Sequence, residues 1–199
     1  MNTPSEPESE LREARRPGFL GRFLRDRSGS TAIEFVILAI PFSMLVFAIL
    51  ESCISFAGQE VLANAADDVA RQVRTGQLRA ATITKESIQQ AICNKLAVMV
   101  GNSCNDRIFI DLRKYDTFQE AAAARFKIIN NAIVLTKDNV KDPLGYTISP
   151  GPAMSINMLR VFYKWPVMTD FVSTWAAKLD GPNTLHFATV TWQNEPFDE

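Results

Sequence analysis

The apolar residues of the chain gather near its front. From Thr31 to Leu50 the sequence reads TAIEFVILAIPFSMLVFAIL, twenty residues with a single charge, Glu34. As a helix such a run is about 30 Å long, the thickness of a bilayer's hydrocarbon core. The alternative is the buried core helix of a soluble protein, and the length and near-absence of charge speak for the membrane. Ahead of it, Met1–Ser28 is polar and broken by Pro4, Pro7 and Pro17, with acids early (Glu6, Glu8, Glu10, Glu13) and arginines late (Arg15, Arg16, Arg22, Arg25, Arg27). That stretch reads as a tail without a core. Arginines directly before an apolar span favour a cytoplasmic N-terminus and place the C-terminal bulk outside.

Beyond Leu50 the chain continues ESCISFAGQEVLANAADDVARQVR, which lacks the small-residue cleavage pattern of a signal peptide and keeps a helical period. Val61, Ala65, Val69 and Val73 recur at spacing four, and Asp67 with Arg71 makes an i,i+4 pair. The helix is therefore expected to run on to Arg74 and to stop at Gly76. The alanine-rich stretch Ala57–Ala70 has two readings, plain helix propensity or close packing against another helix. Ile88, Ile92, Leu96 and Met99 or Val100 predict a second amphipathic helix over Lys85–Val100 with Thr84 as N-cap. Ile108–Leu112, Ile156–Tyr163 and Leu185–Trp192 are β-rich runs separated by turn signals such as Asp142-Pro143-Leu144-Gly145 and Ser149-Pro150-Gly151-Pro152. The expected fold class is α+β, with an antiparallel sheet.

Composition narrows the chemistry. The 199 residues are 47% hydrophobic and 22% charged with a formal net charge of -1, enough for one folded domain plus an appendage. The balance gives no attraction to phosphate, so no nucleic-acid partner is expected. With His186 as the one histidine and no CxxC or HxxxH spacing, no metal or cofactor is expected. His186, flanked by Leu185 and Phe187, reads as structural. Ser155 and Ser173 lack a nucleophile elbow, and Asp67, Asp68, Asp111 and Asp116 read as solvated surface acids, so no enzyme is expected. Cys93 and Cys104 flank the end of the second helix and a Gly101-Asn102-Ser103 turn. In an oxidising compartment the pair is favoured as a disulfide over free thiols, while Cys53 reads as a small buried hydrophobe.

Two features separate the apolar run from a generic anchor. Glu34 puts a carboxylate near hydrocarbon, which is unfavourable unless it is paired or interfacial. It is also the fifth residue after Gly29 and is followed by Phe35. This spacing resembles the processing site of type IV prepilins of the tight-adherence (Flp) class. The resemblance implies that a membrane prepilin peptidase cuts between Gly29 and Ser30 and leaves the helix in place. A new ammonium at Ser30 then lies within reach of Glu34 of the same or a neighbouring subunit. The bland alternative is a flexible Gly29 and an acid favoured by the helix dipole.

The wider pattern of Ala32, Glu34, Phe35, Pro41 and Glu51 resembles the TadE-like minor pseudopilin family. Val73-Arg74-Thr75-Gly76-Gln77, Tyr163-Lys164-Trp165-Pro166 and Asn194-Glu195-Pro196-Phe197 are similar to further family pieces, whereas Lys114–Gly151 resembles nothing in it. The resemblance implies a basic leader over 1–29 that is removed, a transmembrane helix over 30–56 and a pilin-like extracytoplasmic domain over 57–199. It also implies an inner-membrane location, other pilins and pilus assembly proteins as partners, and a role in pilus assembly or adhesion. Pro41, which cannot donate its N–H, is expected to kink the helix within the membrane. The runner-up is a single-pass protein whose outer domain is a binding module or enzyme unrelated to pili.

Overall fold

The computed structural model describes residues 30–169, 173–174 and 179–197. The chain divides into two compact units, Met1–Leu45 and Val46–Glu199. The described part of the first unit is helical and exposed along almost its whole length. That helix, α1, spans Ser30–Arg74 with Pro41 inside it.

The second unit is α+β. Within it α1 carries a continuous inward stripe formed by Glu51, Gly58, Leu62, Ala65, Ala66, Val69, Ala70 and Val73. The offsets of three and four keep these residues on one helical face. The alanines thus pack onto this chain's own domain, which settles the two readings of that stretch. Arg71 pairs with Asp68 at 3.7 Å, a turn earlier than the Asp67 expected from spacing. The helix ends where Gly76 takes a φ of +73° and donates its N–H to Val73 O. A Cβ there would also run into the Phe197 ring.

α2 is Lys85–Val100, opened by a reciprocal cap in which Thr84 Oγ1 accepts from Ser87 N and Ser87 Oγ accepts from Thr84 N. Ile88, Ile92 and Leu96 are buried against α1 and the sheet, as the period predicts. A short 3-10 turn, Gly101–Cys104, brings Cys104 back to Cys93, and the two form a disulfide with Cα atoms 5.6 Å apart. Closing a loop this short stabilises the fold by about 3 kcal/mol. Cys53 is exposed on α1, not buried as its sequence context suggested.

The strands are β1 (Ile108–Tyr115), β2 (Ala124–Ile129), β3 (Ala132–Lys137), β4 (Val140–Lys141), β5 (Ile148–Ser149), β6 (Ile156–Pro166) and β7 (Asn183–Gln193), with a one-and-a-half-turn helix α3 (Phe118–Ala123) before β2. The main sheet has the order β5-β1-β6-β7, antiparallel except for the parallel β1–β5 edge, so it is mixed and not purely antiparallel. A second, antiparallel sheet, β2-β3-β4, comes from the segment that resembled nothing. Its two hairpins turn on Asn130-Asn131 and Asp138-Asn139, all four with positive φ. Asparagine and aspartate tolerate that conformation, and it matches the twist of the flanking strands.

Alternation sorts the main sheet into two faces. Ile108, Ile110, Leu112, Leu159, Val161, Tyr163, Trp165, Ala188 and Trp192 meet the helices. Phe109, Phe162 and Leu185 on the other face meet Phe126, Ile133 and Leu135 of the small sheet. Between the two sheets lies a buried ion cluster. Asp111, 0% exposed, accepts from Arg113 Nε at 2.8 Å, Arg160 Nη2 at 2.7 Å and Thr147 N at 3.0 Å. Arg113 continues to Asp142 at 2.5 Å and to Gly145 O, and Arg160 to Arg125 O. Two carboxylates and two guanidiniums balance, and the hydrogen bonds from Arg113 and from Leu144 N hold Asp142 ionised below its ordinary pKa in spite of burial. Asp111 was read from sequence as a solvated surface acid; its place on the inward face of β1, directly opposite Arg160, corrects that.

Candidate functional site

The residues singled out for processing lie at the start of α1. Gly29 lies outside the described residues, as does the side chain of Ser30. Glu34 and Phe35 are exposed just past the first helical turn, and Pro41 stands in the exposed run that follows. From Ile33 to Leu50 the large apolar side chains face outward, Phe35 at 71% exposure. The most apolar window of Thr31–Arg74 has a mean hydropathy of 2.5 and is 0% buried. A core helix of a soluble domain would be covered. Length, apolarity and exposure together suit a single-pass membrane anchor.

Where the apolar run ends, α1 is clasped to the outer domain. Glu51, 8% exposed, accepts from Met168 N at 2.5 Å, from Thr169 N at 3.4 Å and from the Thr169 hydroxyl. One turn on, Ser55 Oγ meets His186 Nε2 at 2.9 Å. At Gly58 the helix backbone comes against Trp165, whose ring occupies the place a Cβ would take. Gln59 then offers its side-chain amide to the edge strand β7, donating to Phe187 O at 2.8 Å and accepting from Phe187 N at 3.2 Å. This amide satisfies peptide groups that would otherwise stand open at the sheet edge.

The Ser55–His186 contact has the geometry of a nucleophile and base, but its surroundings are those of a joint. The imidazole stacks on Trp165 at 4.7 Å, and among the described residues Nδ1 has no partner to orient the ring as a base. Burial pushes the His186 pKa down from 6.5 to about 4. The unfolded chain therefore takes up the proton first as the pH falls. Stability from this group is fully present above about pH 6.5 and is lost progressively toward pH 4, by roughly 3 kcal/mol. Urea midpoints measured at pH 7 and pH 4.5 should show this loss in the wild-type chain beyond that in His186→Gln. Equal losses in both would refute it.

Among the described residues no cluster of His, Cys, Asp or Glu could hold a metal ion. The sequence reading named Glu51 and Trp165 through resemblance, and treated His186 as structural. It missed Ser55, Gly58 and Gln59. Their signal was the inward stripe continued backward from Val73, which reaches Leu62, Gly58, Ser55 and Glu51 in steps of three and four.

The arrangement is that of a membrane-anchored α+β protein whose anchor helix is also a core element of its outer domain. Residues 29–71 match the family model described as TadE-like protein. The match covers the Gly29–Glu34 spacing, the whole exposed run and the inward stripe as far as Arg71, and it links this part of the chain to tight-adherence pilus systems. No curated protein and no solved structure matches.

Proposed function

We propose that the chain is a minor pseudopilin-like component of a tight-adherence pilus. A prepilin peptidase cuts it between Gly29 and Ser30 on the cytoplasmic side of the inner membrane. The helix stays in the bilayer and the outer domain stands outside the cytoplasm, where the Cys93–Cys104 disulfide is stable. Its work is mechanical: the apolar helix packs among other pilins, Glu34 meets a new N-terminal ammonium, and Pro41 bends the helix to fit its neighbours. The outer domain acts in assembly of the filament or in adhesion. The single observation that carries this reading is the family match beginning at residue 29 and running through the exposed apolar helix.

The test is the N-terminal residue and mass of the protein from membranes, with and without a co-expressed prepilin peptidase. A chain beginning at Ser30 only when the peptidase is present is the expected result. Gly29→Trp should remain full-length, because the protease cleft must admit bare backbone. A wild-type chain left uncut beside an active peptidase, or a Gly29→Trp chain cut as usual, would defeat the proposal.

A further inference from the structure

We propose that the face of the outer domain around Phe56 and Met168 sits in the headgroup layer of the bilayer, so that the domain is docked on the membrane surface and not merely tethered above it. The inference rests on the anchor reading of α1, not on the pilus reading. Glu51 is the residue directly after the apolar run, and its carboxylate is engaged by Met168 N, Thr169 N and the Thr169 hydroxyl. Those bonds fix the connection after β6 level with the end of the span. Met168 is held there with its side chain 67% exposed.

Phe56, 74% exposed, is five residues beyond Glu51. Five helical residues rise about 8 Å, comparable to the depth of the polar layer on one side of a bilayer. An open cleft of about 150 Å³ lies alongside, walled by Phe56, Trp165 and Val167 with Glu51, Ser52 and Ser55. The exposed surface of Ile49, Leu50 and Ile54 joins this face to the lipid-facing helix without a break in sequence. That continuity names the occupant as the membrane. Val98, Val140, Leu144 and Met154 are also exposed but stand singly on other elements, as scattered surface apolar residues do. Met168 and Phe56 differ because a bonded carboxylate holds their neighbourhood at the depth where half-polar, half-apolar surroundings begin. The clasp at Glu51 thereby becomes the device that sets the domain's height above the bilayer.

The experiment uses the full chain with Cys53→Ser, reconstituted in phosphatidylethanolamine and phosphatidylglycerol vesicles. A single new cysteine at Met168, Phe56, Ile40 or Leu144 carries an environment-sensitive fluorophore. Spin-labelled lipid and aqueous iodide serve as the two quenchers. The proposal expects probes at Met168 and Phe56 to be quenched by the spin-labelled lipid, with iodide quenching constants several-fold below that at Leu144. If Ile40 is quenched by lipid while Met168 and Phe56 are as open to iodide as Leu144, the docking is refuted and the anchor stands. If Ile40 is itself open to iodide, the anchor reading fails and the docking with it. Shielding of Met168 and Phe56 from both quenchers would mean that protein covers the face, which also overturns the proposal.

Discussion

Asp111→Ala should destabilise the outer domain by about 3–5 kcal/mol, a large part of the 5–15 kcal/mol that holds an ordinary domain together. Asp111 is fully buried between the two sheets and accepts from both Arg113 and Arg160. Removing it leaves two guanidiniums facing Asp142, with Arg160 2% exposed and unable to turn to water. The penalty comes from that uncompensated charge more than from the lost attraction. It follows that Asp111→Leu combined with Arg160→Met should be less damaging than Asp111→Ala alone, since the double change removes one charge of each sign and leaves Arg113 with Asp142. Thermal unfolding of the full chain in detergent, followed by far-UV circular dichroism, measures both. The single variant should melt on the order of 10 °C lower. A shift within error, or a double variant worse than the single one, would show that the cluster does not hold the sheets in this way.

The sequence made this fold legible where one periodicity ran long enough. α1, α2 and the strands β1, β6 and β7 were all visible as apolar spacings of three to four or of two, and Thr84 and Gly76 marked helix ends by chemistry that needs no tertiary context. Two pieces noticed only by resemblance turn out to touch. Glu195 N donates to Arg74 O at 2.9 Å and Phe197 lies over Gly76, so the terminal Asn194–Phe197 stretch closes the turn after α1. The second sheet was missed although its hairpin signals were present. Asn130-Asn131 and Asp138-Asn139 are two-residue turns between short runs, but β2 mixes Arg125 and Lys127 with Phe126 and Ile128, and β4 has only two residues. Alternation over so few positions does not rise above chance. Asp111 was misread for a different reason. A carboxylate in an otherwise apolar strand looks solvent-facing unless its counter-charge is seen, and Arg160 is 49 residues away in sequence. Register brings them opposite one another, and register is a tertiary fact.

Gly58→Leu should release the lower part of α1 from the sheet, and here two effects of opposite sign can be weighed. Glycine inside a helix is disfavoured by about 1 kcal/mol relative to alanine, so propensity alone predicts that any substitution with a good helix former stabilises the chain. Packing predicts the reverse. The Cβ would fall on the ring of Trp165, which is 3% exposed and stacked on His186. Neither ring can move without parting Ser55 from His186 and drawing β7 away from Gln59. Overpacking a closed site is destabilising by about 1–3 kcal/mol and more where backbone must shift, so the clash outweighs the propensity gain for Gly58→Leu and still does for Gly58→Ala. Ala57→Leu, on the exposed side of the same turn, should be neutral. Hydrogen exchange at the Phe187 amide separates the cases, because that N–H donates to Gln59 and not to another strand. Its exchange should accelerate in both Gly58 variants and stay unchanged in Ala57→Leu. A Gly58→Ala chain with slower exchange and a higher Tm would mean that helix and sheet do not approach as closely as the clasp requires. The height of the outer domain above the bilayer would then have to be set by Glu51 alone.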